Sequence, residues 1–112
     1  TFDRNSFCQK HGIPEQNKII VLMPGSRPVE IKRHWKIFEK AVKNLRKKNQ
    51  NLSFVLLEGD NINISSSVDL IKIKKNQYEA IGIADAAIVC SGTATLETAM
   101  LRCPMIVCYK LS

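Results

Sequence analysis

Ile19-Ile20-Val21-Leu22-Met23-Pro24-Gly25-Ser26-Arg27-Pro28 is the stretch that decides the fold. Its first five residues are apolar at every position and rich in β-branched side chains, the pattern of a strand covered on both faces. Pro24 to Pro28 then breaks the strand. From Val29 to about Lys48 the apolar residues Ile31, Trp35, Phe38, Ala41, Val42 and Leu45 recur at intervals of three and four. Lys32, Arg33, Lys36, Lys40, Lys43, Arg46 and Lys47 take the other side, so the segment is an amphipathic helix. Glu30 in its first turn and Arg46-Lys47-Lys48 in its last both suit the helix dipole.

Outward from this strand and helix the alternation repeats. Ser53 to Leu57 reads as a second buried strand, Val68 to Ile73 as a third, Tyr78 to Ala84 as a helix, and Ala86 to Cys90 as a fourth strand. Ala94 to Leu101 has helix composition, Pro104 stops it, and Met105 to Tyr109 is a fifth strand. Strands alternating with helices imply an α/β fold, a Rossmann-like parallel sheet with helices on both faces. Phe2 to His11 reads as a short helix closed by Gly12, so residues 1–18 are expected to be a connector and 19–112 the Rossmann-like domain, itself incomplete. One link is out of pattern. Glu58 to Ser67 is at or below the length of a normal crossover, so either its helix is lost or residues are absent from the chain.

The 112 residues carry 17 Lys and Arg against 10 Asp and Glu, a formal charge of +7, with 45% hydrophobic residues. This is one core, and any mechanism that needs two lobes must borrow the second. No apolar run approaches the roughly 18 residues of a membrane span. The start, Thr1-Phe2-Asp3-Arg4, has no initiator Met and reads as a position inside a longer protein. Cys8, Cys90, Cys103 and Cys108 form no C-x-x-C pair and are expected to be reduced thiols of a cytosolic protein. His11 and His34 stand at no metal-ligand spacing from a cysteine, so neither a metal nor a cofactor is expected.

In an open doubly wound sheet, ligands bind beyond the carboxyl ends of the strands, where strand order reverses. With the order 3-2-1-4-5 that point lies between the first and fourth strands. The loops leaving these two are Pro24-Gly25-Ser26-Arg27 and Ser91-Gly92-Thr93-Ala94-Thr95. Each offers a phosphate what it needs: glycine for close backbone approach, free N–H groups at a helix start, and hydroxyl donors. Arg27 adds a fixed charge with a bidentate fork. Read singly, Ser and Thr here are equally ordinary N-caps. Glu97, in the first turn of the following helix, either stabilises that helix or accepts from the ribose hydroxyls of a bound nucleotide. No G-x-G-x-x-G, no P-loop and no nucleophile elbow is present.

Three longer stretches resemble the lipid-A-disaccharide synthases, glycosyltransferases of the GT-B fold. They are Val21 to Ile31, which is similar to L-P-G-S-R-x-x-E-I; Ala84 to Glu97, similar to A-D-A-A-L-x-x-S-G-T-A-T-L-E; and Cys103 to Tyr109, similar to P-M-V-V-x-Y. The resemblance implies the front part of a C-terminal donor-binding lobe. Its donor would be UDP-2,3-diacylglucosamine, whose diacylglucosamine the family transfers to lipid X with release of UDP in lipid A biosynthesis. By that resemblance Gly25, Ser26 and Arg27 approach the diphosphate or the adjacent sugar. Ser91, Gly92, Thr93, Ala94 and Thr95 line the phosphate end, Glu97 holds the ribose, and Gln77 faces the uracil. The catalytic carboxylate belongs to an N-terminal lobe outside this chain, so the chain alone is expected to be inactive. The short Glu58 to Ser67 link departs from the family pattern.

The resemblance further implies a cytoplasmic enzyme peripheral on the inner membrane, whose surface the positive charge suits. Nucleic acid is not expected as a partner, because no aromatic residues interleave with the basic stripe. Two rival readings remain: another UDP-sugar GT-B enzyme, such as an N-acetylglucosamine transferase or epimerase, and a noncatalytic nucleotide-binding α/β module.

Overall fold

The computed structural model describes residues 3–25, 28–59, 62–90 and 105–108. They form α1 (Arg4–His11), β1 (Lys18–Met23), α2 (Pro28–Lys48), β2 (Leu52–Leu57), β3 (Ile71–Ile73), α3 (Gln77–Ile83), β4 (Ala86–Cys90) and β5 (Met105–Cys108). The five strands make one sheet in the order β3-β2-β1-β4-β5, and every neighbouring pair is parallel. This is the expected α/β Rossmann-like arrangement. The helix expected over Ala94 to Leu101 lies outside the described residues, as does Tyr109 at the end of the fifth strand.

The unbroken apolar runs have a simple cause: both sides of the central strands are covered. Ile19, Val21 and Met23 of β1 point into one core with Val55 and Leu57 of β2, Ala87 and Val89 of β4, and Ala80, Ile81 and Ile83 of α3. Ile20 and Leu22 point the other way, onto Ile31, Trp35, Phe38 and Val42 of α2 and Phe54, Leu56 and Ile88. Successive strand side chains face opposite sides, so a strand between two helical layers must be apolar at every position. Of the apolar stripe of α2, Ile31, Trp35, Phe38 and Val42 are buried and Ala41 and Leu45 partly buried, while Lys32, Lys36, Lys40, Lys43 and Lys47 are exposed.

At the start of the chain, α1 is set by its caps. The Asp3 carboxylate accepts from the backbone N–H groups of Asn5 and Ser6 and from the Ser6 hydroxyl at 2.9 Å. Gly12 closes the helix at φ 67°, ψ 33°, a left-handed cap, and Ile13 N–H donates to the Cys8 carbonyl at 2.9 Å. Phe7 and Cys8 of α1 share the core with β1 and α3, and Cys8 is a buried free thiol. Phe7, Cys8 and Ile13 therefore pack this part of the chain on the sheet.

The third strand is shorter than the sequence suggests. It spans Ile71–Ile73, paired with Val55 to Leu57, and Val68 and Leu70 instead lean on the α2 side of the core. The reason lies in three tethers that draw the link toward α2. Glu39 accepts from the Ser67 backbone N–H at 2.7 Å and from its hydroxyl at 3.0 Å, and Arg46 donates to the Asp69 carbonyl. Residues 62–70, between β2 and β3, contain no helix.

Candidate functional site

The reversal of strand order falls between β1 and β4, which run side by side with Met23 opposite Val89. Both strands therefore release their following loops at the same carboxyl rim, about 5 Å apart across the ladder. Gly25, two residues beyond β1, has φ 128°, a backbone conformation that glycine alone adopts easily. Pro28 is the first residue of α2, where its missing N–H costs nothing and its fixed φ starts the helix. The 21 residues of α2 direct their positive dipole end back at this rim. Ser26 and Arg27 lie outside the described residues, and so do Ser91, Gly92, Thr93, Ala94, Thr95 and Glu97. For these, topology fixes only the strand ends from which their segments depart.

Gln77 opens α3 after β3, on the same rim but three strands away from β4 across the sheet order. Its amide nitrogen donates to the Glu58 carbonyl at 2.8 Å and to the Ile73 carbonyl at 3.4 Å. Gln77 thus clasps the ends of β2 and β3. Asn76 before it has φ 59° and makes no side-chain cap, while Glu79 N–H donates to the Asn76 carbonyl.

Sequence reasoning missed Glu58. This residue follows β2 directly and is only 2% exposed, the one buried charged residue among those described. Its carboxylate accepts from the Ile64 N–H at 2.7 Å and lies 3.9 Å from Lys72 Nζ and 4.0 Å from Lys74 Nζ. Lys74 Nζ also donates to the carbonyls of Gly59, at 3.2 Å, and Ile62, at 2.6 Å, and Lys72 Nζ to that of Ile64. The signal was there to read: a lone carboxylate ending an apolar strand, and two lysines two apart on one side of the next. A buried carboxylate needs such partners. Together they do for the β2–β3 link what a crossover helix would do, fixing its carbonyls and its course.

Asp85, in the stretch Ala84 to Glu97, sits at the opposite end of the sheet. Its carboxylate accepts from the Ile19 N–H at 2.7 Å and from Arg4 Nη1 at 3.1 Å, and its own N–H donates to the Ile19 carbonyl at 2.8 Å. It joins β1 to β4 at their amino ends and is remote from the carboxyl rim that carries Gly25. Among the described residues no cluster of His, Cys, Asp or Glu has the makings of a metal site, and no helix is long and apolar enough to cross a membrane.

A parallel α/β sheet with its reversal between β1 and β4 defines a protein of the Rossmann-like class. The model of the lipid-A-disaccharide synthetase family matches residues 1–112. The chain belongs to that family. It is 35% identical to the lipid-A-disaccharide synthase of Syntrophus aciditrophicus, over 100% of this chain and 32% of the relative. It is 36% identical to that of Blochmanniella floridana, over 93% and 29%, and 36% identical to lipid-A-disaccharide synthase 1 of Legionella pneumophila strain Philadelphia 1, over 98% and 31%. The chain thus spans about a third of the length of these relatives.

Proposed function

We propose that this chain is the front part of the donor-binding lobe of a lipid-A-disaccharide synthase, a glycosyltransferase of lipid A biosynthesis. The observation that carries the reading is the pairing of β1 with β4 in a chain that the family model matches from end to end. It supports the reading that the segments Pro24-Gly25-Ser26-Arg27 and Ser91-Gly92-Thr93-Ala94-Thr95, which follow these two strands in sequence, serve one ligand. The donor is UDP-2,3-diacylglucosamine and the acceptor lipid X. Gly25, with the freed N–H groups at the start of α2, approaches the diphosphate, Ser26 and Arg27 donate to it, and residues 91–95 close its other side. Glu97 accepts from the ribose hydroxyls, and Gln77 lies toward the uracil.

In the transfer the bond from the sugar to the diphosphate breaks and negative charge grows on the departing UDP. Helix N–H groups and a guanidinium already in place stabilise that charge without reorganising. The carboxylate that activates the acceptor hydroxyl lies on the N-terminal lobe, so this chain binds donor without turning it over. The enzyme works at the cytoplasmic surface of the inner membrane, where its lipid substrates reside.

The test is a calorimetric titration of the full-length protein with UDP, ADP and FMN. Selective binding of UDP is expected. Preference for FMN, or binding of none of the three by folded protein, overturns the reading.

A further inference from the structure

A groove of about 380 Å³ runs between the first two turns of α2 and the β2–β3 link. Its walls are Pro28, Ile31 and Trp35 from the helix and Ile62 and Ile64 from the link. It exists because residues 62–70 of the link form no helix: Ile62 and Ile64 reach α2 one side chain at a time and leave a channel beside it. The groove starts at Pro28, the residue directly after Arg27. Lys32, an exposed cation, also lines it. An apolar channel that begins where an anion-binding loop ends fits an amphiphile with its anion at the loop and an alkyl chain along the helix.

We propose that this groove receives one acyl chain of the diacylated sugar nucleotide. The inference rests on the donor reading above and adds to it a specificity site for chain length. Two features separate an acyl chain from a sugar as the occupant. The five wall residues are apolar, and the polar lining residues Asn63 and Ser65 are both exposed. Each methylene that enters is worth about fourfold in affinity, so chain length is read until the groove is full.

The experiment uses the full-length protein and a UDP-2,3-diacylglucosamine analogue brominated on one acyl chain, with tryptophan emission as the readout. Bromine quenches on contact, and the difference between wild type and Trp35→Phe isolates the emission of Trp35. That emission is expected to fall by at least half on binding, and excess UDP is expected to restore it. Ser65→Phe, a change on an exposed link residue, narrows the groove and is expected to reduce the kcat/KM advantage of long-chain over short-chain donors at least fivefold. Equal quenching in wild type and Trp35→Phe with UDP still displacing the analogue overturns the acyl groove and leaves the donor reading standing, as does an unchanged chain-length ratio. Quenching specific to Trp35 that UDP fails to reverse keeps the groove and overturns the donor reading.

Discussion

Arg4 and Asp85, 81 residues apart in sequence, meet at 3.1 Å beneath the amino ends of β1 and β4. Arg4 also donates to the carbonyls of Ile83, at 3.0 Å, and Asn17, at 2.7 Å, so one guanidinium joins α1, the turn before β1 and the end of α3. The ion pair itself is about a third exposed and contributes little. The weight lies in the hydrogen bonds, because Asp85 holds both backbone groups of Ile19 at the start of the buried run Ile19 to Met23. This clasp fixes the lateral position of β4 against β1 at their amino ends, opposite the rim that carries Gly25.

Asp85→Ala is expected to destabilise the domain by about 1–2 kcal/mol, the range for a hydrogen bond to a charged group at a partly exposed site. The change should appear first as faster hydrogen exchange at the Ile19 amide. Arg4→Ala should speed exchange there less, because Asp85 still accepts from Ile19. Equal protection of Ile19 in wild type and Asp85→Ala would remove the clasp from the account.

Glu58→Ala leaves the buried Ile64 N–H without its acceptor and Lys72 and Lys74 without their shared carboxylate. A loss of about 2–4 kcal/mol is expected, as for breaking a buried charged group away from its partners. Glu58→Gln retains an acceptor for Ile64 and should cost less. Urea unfolding midpoints of the three proteins check the order, and a Gln variant as weak as the Ala variant would mean that the lysines, not Ile64, are the partners that count.

The central sheet was legible because its cause is local. Ile19 to Met23 and Ala86 to Cys90 are apolar at every step, and only a doubly covered strand explains that, so strand order and the reversal point followed from the alternation with helices. The caps of α1 were legible in part: Gly12 announced its left-handed turn. What the sequence hid depends on distant partners. Arg4, Asp85 and Glu58 are charged residues that look solvated until the fold brings their acceptors and donors together. Val68 to Leu70 has strand character, yet Glu39 draws the adjacent Ser67, and Arg46 draws Asp69 within it, to α2, and the strand shrinks to Ile71–Ile73. Gly25 was singled out for backbone freedom, and its φ of 128° needs it.

Acid should loosen the link through Glu39. The Ser67 backbone N–H, first, and then the Ser67 hydroxyl hold the Glu39 carboxyl below its usual range. A carboxylate favoured in the folded state contributes stability that is full above its ordinary pKa, about 4.3, and fades as pH falls through its lowered folded value. Exchange at the Ser67 amide, corrected for its intrinsic rate, is therefore expected to rise as pH drops below about 4. In Glu39→Gln that rise should vanish, because the amide does not titrate; a rise of equal size in the variant would assign the acid response to another group.

At the ligand rim, Arg27→Ala is expected to weaken UDP binding about tenfold to a hundredfold, the loss of a charge-assisted contact of roughly 1.5–3 kcal/mol. Inorganic pyrophosphate should lose a similar factor, since Arg27 is assigned to the diphosphate and not to the nucleoside. Titration calorimetry of the full-length variant with both ligands decides this, and an unchanged UDP affinity would take Arg27 out of the site.

Glu97→Gln separates the nucleoside from its phosphates. A carboxylate accepts from two adjacent ribose hydroxyls, while an amide presents one acceptor and one donor group to the same pair, so one of the two bonds is lost and the other weakened. UDP affinity is expected to fall about tenfold, and pyrophosphate affinity, which involves no ribose, should stay within twofold or rise slightly as a negative charge leaves the neighbourhood of the anion. A role confined to stabilising the helix that the sequence predicts over Ala94 to Leu101 makes the opposite forecast: both ligands would weaken together. Parallel losses for UDP and pyrophosphate would thus assign Glu97 to the helix, whereas a loss confined to UDP assigns it to the ribose.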